Sequence, residues 1–220
     1  MTDSWKTLDR IDSDEGQLKL CRRGESEFLI TIDEDTLMST TSTSSEVGLG
    51  TLGCAPLGQK QHPQVLIGGL GLGITLRASL DCLPASARVT VAEINRSVVK
   101  WCQGLAAEAS DHALEDPRVT VIVEDVREVI RTSRRRWDGI LLDLYEGPHS
   151  QSQGLSDHCY TLKAMKYAIR ALKKGGVYAI WAEGHDPPFE RRFRLAGFRD
   201  VQAKHLAKGE GDHVVYLAHA

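Results

Sequence analysis

The sequence contains no apolar run approaching the roughly 18 residues that a membrane-spanning helix needs, so no membrane span or membrane partner is expected. Its opening stretch, MTDSWKTLDRIDSDEG, is polar and acidic and lacks the apolar centre of a secretory signal. No C-x-x-C pair occurs among the five cysteines, Cys21, Cys54, Cys82, Cys102 and Cys159. An odd number of scattered thiols fits a reduced, cytoplasmic setting. The eight histidines are equally dispersed, with no H-x-x-x-H or H-E-x-x-H spacing, so no metal is expected. A formal net charge of −3 argues against a broad nucleic-acid surface. The basic clusters Arg134-Arg135-Arg136 and Arg191, Arg192 and Arg194 read as a solvated loop and a solvated helix face. No internal repeat is visible.

What the chain does have is β-α alternation. With 220 residues and 41% hydrophobic content, it suits one α/β unit with a small appendage. Residues 1–16 read as loosely attached. Gln17–Arg23 and Glu27–Asp33 read as a hairpin. The Ser/Thr-rich stretch Ser39–Glu46 leads into a helix near Glu46–Ala55. Five strand-like runs follow: Val65–Gly69, Arg88–Glu93, Arg118–Glu124, Trp137–Asp143 and Gly176–Glu183. Amphipathic helices are expected over Asn95–Ala109 and His158–Lys173, the second stopped by Lys174-Gly175-Gly176. Asp186-Pro187-Pro188-Phe189 reads as a proline-started helix, although it shares a pattern with a motif of amino-methyltransferases. Phe198–Ala207 and His213–His219 form a closing antiparallel pair. The expected fold is a doubly wound, mostly parallel seven-stranded sheet with a C-terminal antiparallel hairpin and a small N-terminal β-hairpin. Residues 1–60 form the N-terminal tail, hairpin and short helix, and residues 61–220 the Rossmann-like cofactor-binding catalytic domain.

The chemistry gathers at one sheet edge. Val65–Gly69 turns through Gly69, Gly71 and Gly73 into a helix, and missing Cβ atoms let a ligand approach the backbone and the free N–H groups of the helix start. The spacing G-x-G-x-G is not the dinucleotide G-x-G-x-x-G. Ligands of open α/β sheets lie at the carboxyl ends of strands. Three runs end there in an acid: Glu93, suited to ribose hydroxyls; Asp125, suited to an adenine amino group; and Asp143, near the reacting end. The third-strand acid and the closing hairpin favour the S-adenosylmethionine-dependent methyltransferase fold over a dinucleotide-binding one.

VLIGGLGLGITLR, VTVAEINRSVVKWCQ, DPRVTVIVEDVREVI and WDGILLDLYEGP, in this order, resemble the spermidine synthase family across about Gln17–Gly184. The resemblance implies that Gly69, Gly71, Leu72 and Gly73 hold the methionine-derived part of S-adenosylmethionine or its decarboxylated form. It places Glu93 and Ile94 at the ribose, Asp125 and Val126 at the adenine, and Asp143 beside the sulfonium. Asp143 and Glu146 stand at the family's D-x-x-D-P acids, as orienting group and base, with Tyr145 as a wall or donor. Glu46 is the remaining acid of the family's amine-binding segment.

Two departures are visible. Leu72 stands where the family's glycine loop carries Asp, which removes repulsion towards an intact methionine carboxylate. Glu146 reaches one methylene farther than Asp. The resulting expectation is a transferase that alkylates a small, amine-bearing acceptor, methyl transfer preferred. Aminopropyl transfer and a catalytically silent adenosyl-binding protein are the alternatives. The N-terminal hairpin could pair with a second copy.

Overall fold

The computed structural model describes residues 4–13, 16–144, 159–206 and 213–220. Two sheets organise them. Strands β1 (Lys6–Ser13), β2 (Gly16–Arg23), β3 (Glu27–Ile32) and β4 (Asp35–Ser39) form an antiparallel sheet in the order β1-β2-β3-β4. The second sheet has seven strands: β5 (Gln64–Gly68), β6 (Arg88–Ala92), β7 (Val119–Ile122), β8 (Trp137–Leu142), β9 (Leu172–Ala182), β10 (Arg199–His205) and β11 (Val214–His219). Their order is β10-β11-β9-β8-β5-β6-β7. Strands β5 to β9 run parallel, whereas β11 is antiparallel to β9 and β10. This is the seven-stranded, mostly parallel architecture expected from the sequence.

The connecting helices are α1 (Ser44–Cys54), α2 (Ile74–Cys82), α3 (Arg96–Gln103), α4 (Val126–Thr132), α5 (Leu162–Ala171) and α6 (Pro187–Ala196). They cover both faces of the sheet, which is why β8 alternates nothing and buries all six residues. On one face Val65, Ile67, Val89 and Val91 share a core with Leu49 of α1, Leu76 of α2 and Trp101 of α3. On the other, Leu66, Ile140 and Leu142 pack with Met165 of α5 and Phe189 and Phe193 of α6. Few aromatics are available, and several are concentrated there: Tyr178 and Phe198 stack at 5.1 Å, and Phe189 meets Tyr216 edge-on at 5.0 Å.

Several boundaries differ from the sequence reading, each for a physical reason. Residues 6–13 are not loosely attached. They pair with β2, and the Trp101 indole N–H donates to Asp9 Oδ2 at 2.7 Å, tying β1 to α3. The expected hairpin is therefore the middle of a four-stranded sheet. Helix α5 stops at Ala171, before Lys174-Gly175-Gly176, because the N–H groups of Arg135 and Arg136 take the Arg170 and Ala171 carbonyls and Leu172 pairs with Trp137. The glycines instead serve an irregularity in β9, with Gly175 at φ +73°. Helix α3 ends at Gln103, where Gly104 leaves helical geometry, and a short 3-10 turn at Ala107–Ser110 follows. Strand β7 ends at Ile122, leaving Asp125 as the N-cap of α4. The Asp-Pro-Pro segment is indeed a helix start, with Asp186 as the N-cap of α6.

The order of the parallel strands places a crevice. From β5 the chain winds outward through β6 and β7, then returns to lay β8 on the other side of β5. The connections after β5 and β8 thus depart in opposite directions and open a cleft at their carboxyl ends. Gly69 and Asp143 follow these two strands.

Candidate functional site

The glycine loop, Gly69–Gly73, is built by close approach. Gly69 sits at φ +88°, and a Cβ there would lie 2.1 Å from the Asp143 carbonyl oxygen. Only glycine permits both the left-handed backbone and this contact. The Gly69 N–H donates to the Ala92 carbonyl at 2.9 Å, and Asp143 N–H donates to Gly68 at 2.9 Å, so three strand ends are stitched together. Gly71 faces the Met38 thioether, and Gly73 faces the Ser110 hydroxyl. Cys102 donates its S–H to the Gly71 carbonyl at 3.1 Å. Burial pushes that thiol up to about 12, so it stays protonated and able to donate.

Glu93 directly follows β6 and is buried. Its Oε2 accepts the Leu70 N–H at 2.9 Å, and its Oε1 accepts the Asn95 N–H at 2.7 Å. The carboxylate is thus held rigidly between the glycine loop and the start of α3, which Asn95 caps by accepting from Ser97 N–H. Ile94, next in sequence, is 67% exposed and offers an apolar surface beside that carboxylate.

Asp125 accepts the Arg127 N–H at 2.8 Å and pairs with the Arg127 guanidinium at 2.5 Å. Burial alone would raise its carboxyl, but the Arg127 hydrogen bonds outweigh that and hold it below the ordinary carboxylate range. Val126 is buried beneath it. Asp125 also borders a cavity of about 280 Å³ walled by Leu142, Cys159, Thr161 and Tyr167.

Asp143 lies at the crevice itself. The Thr75 hydroxyl, on the first turn of α2, donates to its Oδ2 at 2.6 Å and lies 3.3 Å from the Glu46 carbonyl. Burial, reinforced by the negative charge of Glu46, pushes the Asp143 carboxyl up to about 7 despite the Thr75 bond. Glu46 reaches this point because α1 packs tightly: a Cβ on Gly50 would meet the Thr75 carbonyl of α2 at 2.7 Å. An acid titrating near neutrality can carry a proton away from a nucleophile and release it again.

Among the expected site residues, the structure brings Gly69, Glu93 and Asp143 together at the carboxyl ends of β5, β6 and β8, with Gly71, Leu72 and Gly73 in the adjoining loop and Ile94, Asp125 and Val126 along the same sheet edge. Leu72 is wholly buried in the core. Its side chain is taken up by core packing, and the position carries no charge towards either form of the donor. Tyr145 and Glu146 lie outside the described residues. Sequence reasoning missed Thr75, Met38, Cys102 and Ser110. Thr75 carried a local signal, a hydroxyl two residues beyond the last loop glycine. The other three arrive by tertiary packing alone.

The loop suits an adenosyl ligand on its own chemistry. The Ser110 hydroxyl is buried beside Gly73 with no hydrogen-bond partner among the described residues. The Glu93 carboxylate is already oriented. Among the described residues no group of three or more His, Cys, Asp or Glu could hold a metal ion, and no helix is long and apolar enough to cross a membrane.

A mostly parallel sheet with this strand order, a glycine loop after its first strand and acids after the next three defines a methyltransferase-like α/β protein. The chain belongs to the spermine/spermidine synthase domain family, whose domain matches residues 51–192. It is 29% identical over 125 residues to the polyamine aminopropyltransferase of Korarchaeum cryptofilum, covering 56% of this chain and 37% of that protein. It is 31% identical over 140 residues to that of Nitrosomonas europaea, covering 63% and 41%. The chain thus spans about two fifths of the length of these curated relatives. In structure it is similar to spermidine synthase from Thermotoga maritima, with a TM-score of 0.73, 19% identity and coverage of 97% of this chain and 72% of that one. A spermidine synthase in complex with the transition-state analogue AdoDATO gives a TM-score of 0.72 at 18% identity, again over 97% and 72% of the two chains. None of these relatives supports the preference for methyl transfer.

Proposed function

We propose that this chain is an aminopropyltransferase of the spermidine synthase type, taking decarboxylated S-adenosylmethionine as donor and a small amine as acceptor. The domain match across residues 51–192 carries this reading, because that span contains the glycine loop, Glu93, Asp125 and Asp143 together. In the proposed complex the glycine loop, including the Leu72 backbone, holds the sulfur-bearing chain. Glu93 accepts from the ribose hydroxyls with Ile94 alongside, and Asp125 accepts from the adenine amino group with Val126 beneath.

The chemistry is a substitution at carbon. An amine lone pair forms a new N–C bond to the aminopropyl carbon next to sulfur. The C–S bond breaks with its electron pair left on sulfur, giving neutral methylthioadenosine. The nitrogen must be unprotonated when it attacks, so one proton has to leave it. Asp143, with its carboxyl near 7 and its Oδ2 fixed by Thr75, fits acceptance of that proton, and Glu146 is the second candidate base. Asp143 and Glu46 together also favour a cationic acceptor over a neutral one.

Calorimetric titration of the full chain with both donor forms tests the reading. Decarboxylated S-adenosylmethionine is expected to bind at least tenfold more tightly than the intact form, and incubation with a diamine should release methylthioadenosine. Tighter binding of the intact form would restore methyl transfer. Tight donor binding without product across an amine panel would favour the silent binding protein.

A further inference from the structure

The glycine loop already has an occupant. Met38, on β4 of the N-terminal sheet, places its sulfur 3.0 Å from the Leu72 N–H. Its sulfur and terminal methyl both lie 2.6 Å from where a Cβ on Gly71 would be. A methyl thioether thus rests on the bare backbone of Gly71 and caps the next N–H. A thioether is a weak acceptor, so the Leu72 N–H is poorly satisfied by it. The Gly71 N–H has no partner among the described residues. Elsewhere the loop is well paired: Gly69 to Ala92, Leu70 to Glu93, and Gly73 to Leu70. The two weakly served N–H groups are those beneath Met38.

We infer that the Met38 side chain is a built-in stand-in for the sulfur-bearing chain of the adenosyl ligand, occupying its place on the loop and withdrawing when that ligand binds. The inference rests on the proposed adenosyl site. The chemical match is close: a methyl, a sulfur and a short methylene chain, on an unbranched side chain that adapts to irregular space. Because Met38 comes from the N-terminal sheet, its withdrawal would also couple that sheet to occupancy of the loop.

Binding of methylthioadenosine and of adenosine to wild type, Met38→Ala and Met38→Leu tests the inference. Adenosine lacks the sulfur and does not compete with Met38. Met38→Ala is expected to bind methylthioadenosine about threefold to tenfold more tightly than wild type, the equivalent of one modest hydrogen bond released, with adenosine unchanged. Met38→Leu, which keeps bulk over Gly71, should retain wild-type discrimination. In wild type labelled at the methionine methyls, which number only three, the Met38 signal should shift with methylthioadenosine and not with adenosine. Equal changes for both ligands, weaker methylthioadenosine binding in Met38→Ala, or an unmoved Met38 signal would overturn the inference while leaving the adenosyl site standing. Failure of wild type and variants to bind either ligand would overturn both.

Discussion

Two carboxylates at the strand ends are held in opposite ways. Glu93 is braced by two backbone donors, so its loss should be felt in the fold as well as in ligand binding. Glu93→Ala leaves the Leu70 and Asn95 N–H groups without acceptors and is expected to cost about 1–3 kcal/mol. Glu93→Gln should cost less, since its amide oxygen still accepts one of the two. Urea midpoints at unchanged slope would measure this, and an alanine variant as stable as wild type would refute the bracing. Asp143 is instead held near neutrality by burial and Glu46. Its folded pKa is raised, so from the ordinary carboxylate value near ~4 up to about 7 the unfolded chain has released a proton that the fold keeps. Unfolding then releases a proton, and stability contributed at this position declines as pH rises through that window. Asp143→Asn should gain on wild type progressively across it and no further above it. A difference independent of pH would show that Asp143 titrates as an ordinary acid.

At the scale of elements, Asp138 pins the opposite end of the sheet. It is the second residue of β8 and fully buried. It accepts from Gln64 N–H at the start of β5 at 2.8 Å, from Lys173 in β9 at 2.6 Å, and pairs with Lys60 at 2.6 Å. Burial would raise its carboxyl, but these three donors hold it below the usual carboxylate range. The lysine side chains remain 36% and 41% exposed, so they rehydrate if Asp138 is removed. Asp138→Ala is therefore expected to cost about 1–3 kcal/mol, mostly for the orphaned Gln64 N–H, rather than the larger loss of a wholly buried ion pair. Since the folded pKa is depressed, the contribution is present above the ordinary carboxylate value and fades as pH falls through the folded one. Thermal melts of wild type and variant from pH 3 to 7 should converge at the acid end; parallel curves would exclude the charge from the effect.

For the whole molecule, the two sheets share one core. Leu20, Phe28 and Ile30 of the N-terminal sheet belong to the same buried cluster as Leu72, Val91 and Trp101. Each such side chain contributes about 1.5–3 kcal/mol on burial, and the Asp9–Trp101 hydrogen bond adds a polar tie. The N-terminal sheet should not melt separately. Tryptophan fluorescence and far-ultraviolet circular dichroism are expected to report one coincident unfolding transition. A first transition seen by only one probe would mean that the N-terminal sheet is an independent unit.

Much of the architecture was legible because it is written locally. Apolar strands of four to six residues, the strand-glycine-helix turn at Gly69–Gly73 and the acids Glu93 and Asp143 directly after their strands are short-range signals. Backbone geometry converts such signals into position without outside help. By itself the sequence determined the doubly wound sheet, its closing antiparallel hairpin and the edge where chemistry gathers. Only the tertiary structure decided what each position does there. Leu72 reads in the sequence as a residue facing a ligand, and only the fold shows its side chain enclosed in the core. Residues 6–13 looked unattached because β1 is stabilised by β2 and by Trp101, 92 residues away from Asp9. Met38, Thr75 and Ser110 meet the loop or Asp143 through packing between distant segments. The proton affinity of Asp143 depends on burial and on a charge delivered by α1. Such contacts and fields are properties of the assembled fold, and no window along the chain contains both partners.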